Sequence, residues 1–515
     1  SRQTMRTLLR RGAFKLVAAV AATLADACPP AGQAANGPPE KTAAQLDAEW
    51  TEVVAGLERR CEAGGPDRLA ALIGGWQLPD EGDRQFILSI PAAAAATPPD
   101  WIDTPAEASI WEDFLAARRT RAAGTFALAV ATSRTSDAPA REVAGDERPA
   151  LEQGTAAAIR LLYRVLRDDP DHERAREAGG WVKRQGAWVW PEVARRLDKG
   201  EEHSAEFGWL PRGRQQRYRE GDRYEQGRWT KAGADGQTAP PRKPLDLDRH
   251  GRMFASDHWQ ITTTAHEEAA ANLAQRLEET HVAWLQVFGA FQYEPPEWEQ
   301  RFEGRGRPRP LDPFLAKLAV SRQEYVAALE PLEPAIARTL GIYWTPTRTA
   351  WFFEGEGQEP TTVHHEAVHQ LFAEKRRTSP LAGERCGFWA IEAVACYMES
   401  LEPQPWGWTV GGRDAGRAAR ARERLIEDGF HVPLAELTAL GRRDFQADDR
   451  LPQIYSEISG LADFFMNGRG ARYREAFLEY LARIYTGTVD ADTLSRLCRR
   501  SYVDLDDEYR HHMAR

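Results

Sequence analysis

The 515-residue chain has few cysteines, no surplus of positive charge and, beyond its first 27 residues, no long apolar run. Its 5 cysteines are too few and too scattered for a disulfide scaffold, although one bridge involving Cys61, Cys386 or Cys498 stays open. The net charge of −10 argues against nucleic-acid binding as the main role, because phosphate recognition requires a surplus of clustered positive charge. Beyond the first 27 residues, no apolar run approaches the length of a membrane span. The 42% of hydrophobic residues predicts a globular protein of about three domains.

The first 27 residues have the pattern of a signal peptide. Basic residues between Arg6 and Lys15 precede an apolar run over 16–25, and an A-x-A cleavage pattern ends at Ala27. We therefore expect an exported protein, located in the periplasm, the cell envelope or outside the cell. A pair of arginines leaves twin-arginine export open, and Cys28 leaves a lipid anchor open. The structural alternative is an ordinary amphipathic helix.

Composition divides the rest of the chain into four blocks. Residues 28–45 are rich in Pro, Gly and Ala and predict a flexible linker. Residues 46–178 have the apolar spacing of helices and predict a helical domain. Residues 179–252 twice place glycine between short aromatic strands, which predicts a small domain rich in β-hairpins. Residues 253–515 alternate strand and helix patterns and then become helical, so the predicted fold class is α+β and mainly helical.

Tryptophans are frequent in the hairpin block. Because tryptophan is usually well buried, they predict the core of a small barrel, while an aromatic surface for glycan or peptide is the alternative. The tryptophans concerned are Trp181, Trp188, Trp190, Trp209 and Trp229.

The most informative motif is HExxH at residues 365–369, inside the run TTVHHEAVHQLF. On a helix, His365 and His369 lie one turn apart on one face, so both imidazoles can reach one ion. A helix-start signal at Pro360 and an apolar pattern support the helix. Glu366 follows the first histidine and is the expected general base toward a metal-bound water. The alternative is a buried helix whose histidines only satisfy backbone groups.

A catalytic zinc ion takes three protein ligands and leaves one position for water. We predict Glu392, in the segment FWAIEAVACYMES, as the third ligand of a Zn²⁺ site with His365 and His369. Glu374 and Glu384 are the rival third ligands. Cys396, one turn beyond Glu392, would close the fourth position in a structural zinc site, although a small buried thiol is the commoner case.

Around Glu392, the sequence WxxExxAxYxE resembles the segment of the third zinc ligand in gluzincin aminopeptidases of the peptidase-MA clan. More narrowly, the chain from about residue 150 resembles an uncharacterised family of secreted bacterial proteins with HEAxHQLF and WxxExxAxYxES helices. The resemblance implies a zincin-like metallopeptidase domain over residues 253–515. It also implies Tyr455, at a similar distance beyond the third ligand, as a donor to the developing oxyanion.

The chain departs from the gluzincin pattern in two places. Ile391 and Ala393 replace the usual Asn and Gly, and no GxMEN-like segment precedes the motif. In gluzincin aminopeptidases that segment reads the free amine of the substrate, so an endopeptidase is favoured. Other zincin classes are disfavoured, because no HxxGxxH continuation follows.

Residues around the ligands complete the predicted site. Glu399, two turns beyond Glu392, and His364 are expected to support the ligands, with His364 a supporting or solvent-facing residue rather than a ligand. The strand TAWFFEG, residues 349–355, is expected to be a sheet edge that pairs with an extended substrate.

Together these features predict an exported zinc peptidase acting on a peptide or protein substrate, without nucleic acid and without a transmembrane segment beyond the signal peptide. The alternative is a catalytically silent zincin fold that binds partners through its helical and tryptophan-rich domains. Oligomeric state has no signal in the sequence.

Overall fold

The computed structural model describes residues 41–62, 67–79, 82–91, 98–134, 154–225, 228–231, 247–308 and 310–515. The fold is mixed α+β and mainly helical, as predicted. The first half holds helices α1 (Ala43–Glu62), α2 (Asp67–Gly74), α3 (Pro105–Ser133), α4 (Thr155–Asp168), α5 (Glu173–Gly179), α6 (Pro191–Asp198), α7 (Arg214–Arg219) and α8 (Leu247–His250). Its strands are β1 (Gln85–Leu88), β2 (Val182–Arg184), β3 (Ala187–Val189), β4 (Glu201–Ser204), β5 (Gly208–Pro211), β6 (Arg223–Glu225) and β7 (Arg228–Thr230).

The second half alternates strands and helices before it becomes helical. Its strands are β8 (Arg252–Ala255), β9 (Trp259–Thr263), β10 (Phe314–Ala319), β11 (Ile342–Trp344), β12 (Thr349–Phe353), β13 (Glu402–Gln404) and β14 (Gly407–Val410). Its helices are α9 (Glu267–Phe288), α10 (Pro295–Phe302), α11 (Arg322–Leu329), α12 (Pro360–Glu374), α13 (Phe388–Met398), α14 (Gly416–Glu427), α15 (Leu434–Ala439), α16 (Arg442–Gln446), α17 (Leu451–Ala471), α18 (Arg474–Thr486), α19 (Thr493–Cys498) and α20 (Tyr502–Ala514).

Residues 41–515 form one compact unit. Its largest hydrophobic cluster includes residues from the blocks 46–178, 179–252 and 253–515, from Ile87 to Met513. A smaller cluster joins α1, α2 and α3 around Trp50, Trp111 and Phe114. The predicted division into domains stays a prediction.

A five-stranded sheet in the order β11-β12-β10-β9-β8 precedes the helices that carry the motif. β9, β10 and β12 are parallel, and β11 and β8 pair antiparallel at the two edges. The prediction of an edge strand at TAWFFEG is wrong, because β12 lies inside the sheet and β11 is the edge. Every residue of β12 is buried, as expected for an interior parallel strand, which reads as a continuous apolar run.

The hairpin block contains the two hairpins that its glycines predict. β2 pairs with β3 across Gln185 and Gly186, which both have positive φ, and β6 pairs with β7. A further hairpin joins β4 and β5. The predicted barrel is wrong for the described residues, since these strands form separate two-stranded sheets of three- and four-residue strands. Trp181 is buried in the main cluster, and Trp188 and Trp190 pack against it.

Two further expectations concern the cysteines and the start of the chain. Cys61, Cys386, Cys396 and Cys498 are buried free thiols, so the possible disulfide is not formed among them. The signal-peptide pattern and Cys28 lie outside the described residues. Within the described residues, no helix has the length and apolar character that crossing a membrane requires.

Candidate metal centre

Helix α12 carries the HExxH motif and begins with Pro360 at its first turn, where a missing N–H costs nothing. The predicted apolar positions are buried in the core: Val363, Ala367, Val368, Leu371 and Phe372. This burial fixes the rotation of the helix and leaves His365, Glu366 and His369 partly exposed. The two imidazole rings lie 4.8 Å apart between centroids.

Helix α13 carries the predicted third ligand, and all of its residues are buried. It begins after Gly387, which has a φ of 74°, where a Cβ atom would lie 2.8 Å from the hydroxyl of Tyr480. A residue without a side chain is therefore required for the entry into this helix. Packing of α13 against α12 places Glu392 opposite the two histidines.

The three predicted ligands converge on one point. Nε2 of His365 and Nε2 of His369 are 3.1 Å apart, and Oε2 of Glu392 lies 3.5 Å and 3.7 Å from them. A triangle with these sides has a circumscribed circle of about 2.0 Å radius, which is the length of a bond from zinc to nitrogen or oxygen. An ion at normal bond lengths would therefore be within reach of all three atoms.

Two of the three predicted ligands, His365 and His369, are partly exposed. The side chains of His365 and His369 are 14% and 16% exposed, and that of Glu392 is 10% exposed. A site with partly exposed ligands can exchange a water or a substrate, whereas a structural zinc site is closed.

The rival ligands lie elsewhere. Glu374 accepts from the Tyr343 hydroxyl at 3.1 Å and pairs with Arg348 at 2.7 Å. Glu384 is exposed and pairs with Arg442. Cys396 approaches His365 together with Glu399, in a group that does not include His369 or Glu392.

Glu399 contacts His365 at Nδ1, whereas Nε2 of the same ring faces His369. Its Oε1 lies 2.8 Å from Nδ1 of His365, and its Oε2 accepts from Nε of Arg417 at 2.6 Å. A proton on Nδ1 leaves the lone pair of Nε2 directed at the metal position, which is how carboxylates commonly orient zinc-bound histidines. Arg417 has no sequence signal, because it lies on α14 and reaches Glu399 only through the fold.

The pKa values of the cluster reflect its close pairs. Burial alone would raise the pKa of Glu392, but the neighbouring imidazoles of His369 and His365 hold it well below its usual range. Burial likewise opposes charge on Glu399, yet its hydrogen bonds to His365 and Arg417 lower its pKa. Both carboxylates are therefore held as anions beside the imidazoles.

Glu366 lies beside the edge strand of the sheet. The backbone N–H of Tyr343, in β11, donates to Oε2 of Glu366 at 2.7 Å. This contact fixes the carboxylate next to the edge strand of the sheet. The sequence gives no sign of this bond, because it depends on the order of strands in the sheet.

Tyr455 reaches the cluster from α17. Its hydroxyl donates to Oε2 of Glu392 at 3.2 Å, the same oxygen that faces both histidines. Burial, and next the charge of Glu392, raise the pKa of Tyr455 far above its usual value, so the phenol keeps its proton and remains a donor. Tyr455, which the gluzincin resemblance implies, thus lies within hydrogen-bond distance of the predicted third ligand.

His364 points away from this group. It is buried, not solvent-facing, and its Nδ1 lies 2.7 Å from the hydroxyl of Thr280 on α9. Burial is the main cause that lowers the pKa of His364 to about 4. The contact of His364 therefore links α12 to α9. Of the two residues predicted to support the ligands, Glu399 is the one that contacts a predicted ligand.

Comparisons with known proteins add no relative: no family model, no curated protein and no solved structure matches this chain. The resemblance to gluzincins and to the HEAxHQLF family accordingly stays a prediction from the motifs.

Proposed function

We propose that the protein is a zinc-dependent peptidase that hydrolyses peptide bonds in polypeptides, with His365, His369 and Glu392 as the metal ligands. The observation that carries the proposal is the convergence of two imidazole nitrogens and a carboxylate oxygen within 3.7 Å. Three electron-rich atoms at that separation are stabilised by a shared cation, and the N₂O donor set suits zinc.

When bound, zinc supplies a Lewis acid that polarises the scissile carbonyl and lowers the pKa of a bound water toward about 7. The residues of the chain supply the remaining steps. Glu366 accepts the proton of the attacking water and passes it to the leaving amine. Tyr455 donates a hydrogen bond to the oxygen on which negative charge develops.

The substrate class follows from the surroundings of Glu366. The edge strand β11 lies beside this carboxylate, so an extended polypeptide that adds to the edge would pass close to Glu366. Because no segment that reads a free amine is recognised in the sequence, we propose cleavage within chains. We also propose export, on the signal-peptide pattern over residues 1–27.

The test compares zinc content and casein hydrolysis in the wild type, in Glu366→Gln and in the control Glu384→Gln, an exposed glutamate of the loop between α12 and α13. We expect Glu366→Gln to lose activity by about 10²- to 10⁴-fold while it retains zinc. The control should match the wild type in both.

Two outcomes contradict the proposal. A wild type that binds zinc at His365, His369 and Glu392 but cleaves no polypeptide would favour the alternative, a silent fold that binds partners. A wild type that binds no zinc at these residues removes the metal centre itself.

A further inference from the structure

A second group of possible ligands lies outside the proposed peptidase site. His258 is in the turn between β8 and β9, and Glu278 and His281 lie one turn apart on α9. One ligand atom from each residue falls within 4.8 Å of the others. The spacing of Glu278 and His281, three residues apart on a helix, places both side chains on the face toward this turn.

His281 is the unusual member of the group. Its side chain is only 1% exposed, and neither Nδ1 nor Nε2 has a hydrogen-bond partner among the described residues. Burying an imidazole without partners costs about 1–3 kcal/mol. An apolar side chain would fill the same space without that cost, so packing alone does not account for a histidine here.

The other two members are already held in place. Oε1 of Glu278 accepts from the Ser256 hydroxyl at 2.6 Å and from the backbone N–H of His258 at 2.8 Å. Its Oε2 lies 2.6 Å from Nδ1 of His258. The rings of His258 and His281 are 4.0 Å apart between centroids. Two rigid donors thus flank the unpartnered imidazole.

We propose that His258, Glu278 and His281 bind a second divalent transition-metal ion of the zinc type, which fills the unmet bonding of His281. Two imidazoles and one carboxylate favour zinc and its neighbours over calcium or magnesium, which prefer oxygen ligands. The ion replaces the hydrogen bond between His258 and Glu278, the neutral imidazole of His258 then carries its proton on Nε2, and that pair opens by about 0.7 Å to reach the ligand separation of tetrahedral zinc.

The charges around the group accommodate a cation. The charges of Glu278 and Glu192 act on Lys375, and the charge of Lys375 also acts on His281. Both imidazoles are ligands in their neutral form. A dication therefore changes the local charge from about −1 to about +1, without leaving an anion unpaired.

Burial makes this site structural. His258 and His281 are 5% and 1% exposed, and Trp190 and Trp259 lie within 6.0 Å of the His281 ring. Ligands this deeply buried do not reach a substrate, so the site is not catalytic. The ion would instead join the β8–β9 turn to α9, the helix against which α12 packs.

The test measures zinc per chain by plasma mass spectrometry in the full-length protein after equilibration with buffered zinc. We expect about two ions in the wild type, about one in His365→Ala/His369→Ala, about one in His281→Leu and none in the combined variant. The control His266→Ala changes an exposed histidine next to α9 and should keep both ions. Glu278→Gln, which retains the size of the side chain, serves if His281→Leu does not fold.

The outcomes separate the two metal centres. A wild type with one ion that is lost in His365→Ala/His369→Ala overturns the second site and leaves the proposed peptidase site intact. One ion lost only in His281→Leu or Glu278→Gln supports the second site and removes the first. Two ions that both remain in His281→Leu and in Glu278→Gln overturn the inference.

Discussion

Glu399 holds His365 in the orientation that a metal ligand requires, with its carboxylate 2.8 Å from Nδ1 of the imidazole. Replacing Glu399 with glutamine removes the negative charge but keeps the size. We expect zinc affinity at the motif to fall by about 10- to 100-fold, because such partners orient zinc-bound histidines. Competition with a zinc chelator measures the change. Glu402→Gln, an exposed residue paired with Arg84, is the control, and equal affinity in both variants would contradict the role of Glu399.

The hydroxyl of Tyr455 gives a second prediction. Tyr455→Phe should lower kcat by about 10²- to 10³-fold, with zinc content and KM little changed, because the donor acts on charge that develops in the transition state. Tyr473→Phe is a matched control, since it also removes a tyrosine-to-glutamate hydrogen bond, here to Glu508, away from the site. The control should lose stability but not kcat. A Tyr455→Phe enzyme with wild-type kcat would exclude the proposed role.

The backbone of the edge strand gives a third prediction. Tyr343→Pro deletes the N–H that holds Glu366, whereas Tyr343→Phe keeps it. Proline is tolerated on edge strands, so we expect the variant to fold. Casein hydrolysis should fall at least about 10-fold in Tyr343→Pro relative to Tyr343→Phe, since misplacing a reacting group can cost about 10²-fold. Equal rates would show that this bond does not position the base.

His431 predicts a pH dependence of stability in the C-terminal helices. Its imidazole lies 2.6 Å from Glu457 and 3.2 Å from Asp506. Although burial opposes charge, these partners raise the pKa of His431 to about 9 from 6.5. Because the folded state holds the proton more tightly, this stabilisation is complete below pH 6.5 and is lost as the pH rises through about 9.

The shift corresponds to at most about 3 kcal/mol of unfolding free energy. Denaturant unfolding of the wild type and of His431→Gln at several pH values between 6 and 10 measures it. The difference between the two proteins should shrink as the pH rises. His203→Gln, which changes an exposed histidine of β4, should show no such trend, and a constant difference for His431→Gln would contradict the assignment.

Helices α12 and α13 show most clearly how much of the site can be predicted from the sequence. The spacing of His365 and His369 and the apolar pattern around them predict the helix and its buried face, and the structure has both. Glu392 is predicted from a second motif, and the packing of α13 places it between the histidines. Local patterns suffice here because the apolar positions of α12 indicate its buried face, and the second motif marks Glu392 in the fully buried α13.

The same reasoning fails where long-range order decides. TAWFF is correctly predicted as a strand, but only the pairing with β11 and β10 shows that it is interior. The contacts of Glu366 with Tyr343 and of Glu399 with Arg417 join residues from separate elements, and no local pattern encodes them. The hairpin tryptophans are predicted as a barrel core because burial is inferred from residue type, whereas several pack against the main core.

The most direct test of the proposed metal centre is a crystal structure of the zinc-loaded protein with anomalous scattering measured at the zinc edge. We predict an anomalous peak about 2.0–2.2 Å from Nε2 of His365, from Nε2 of His369 and from a carboxylate oxygen of Glu392. A zinc ion bound instead by Cys396 and Glu399, with Glu392 more than about 4 Å away, would contradict the account.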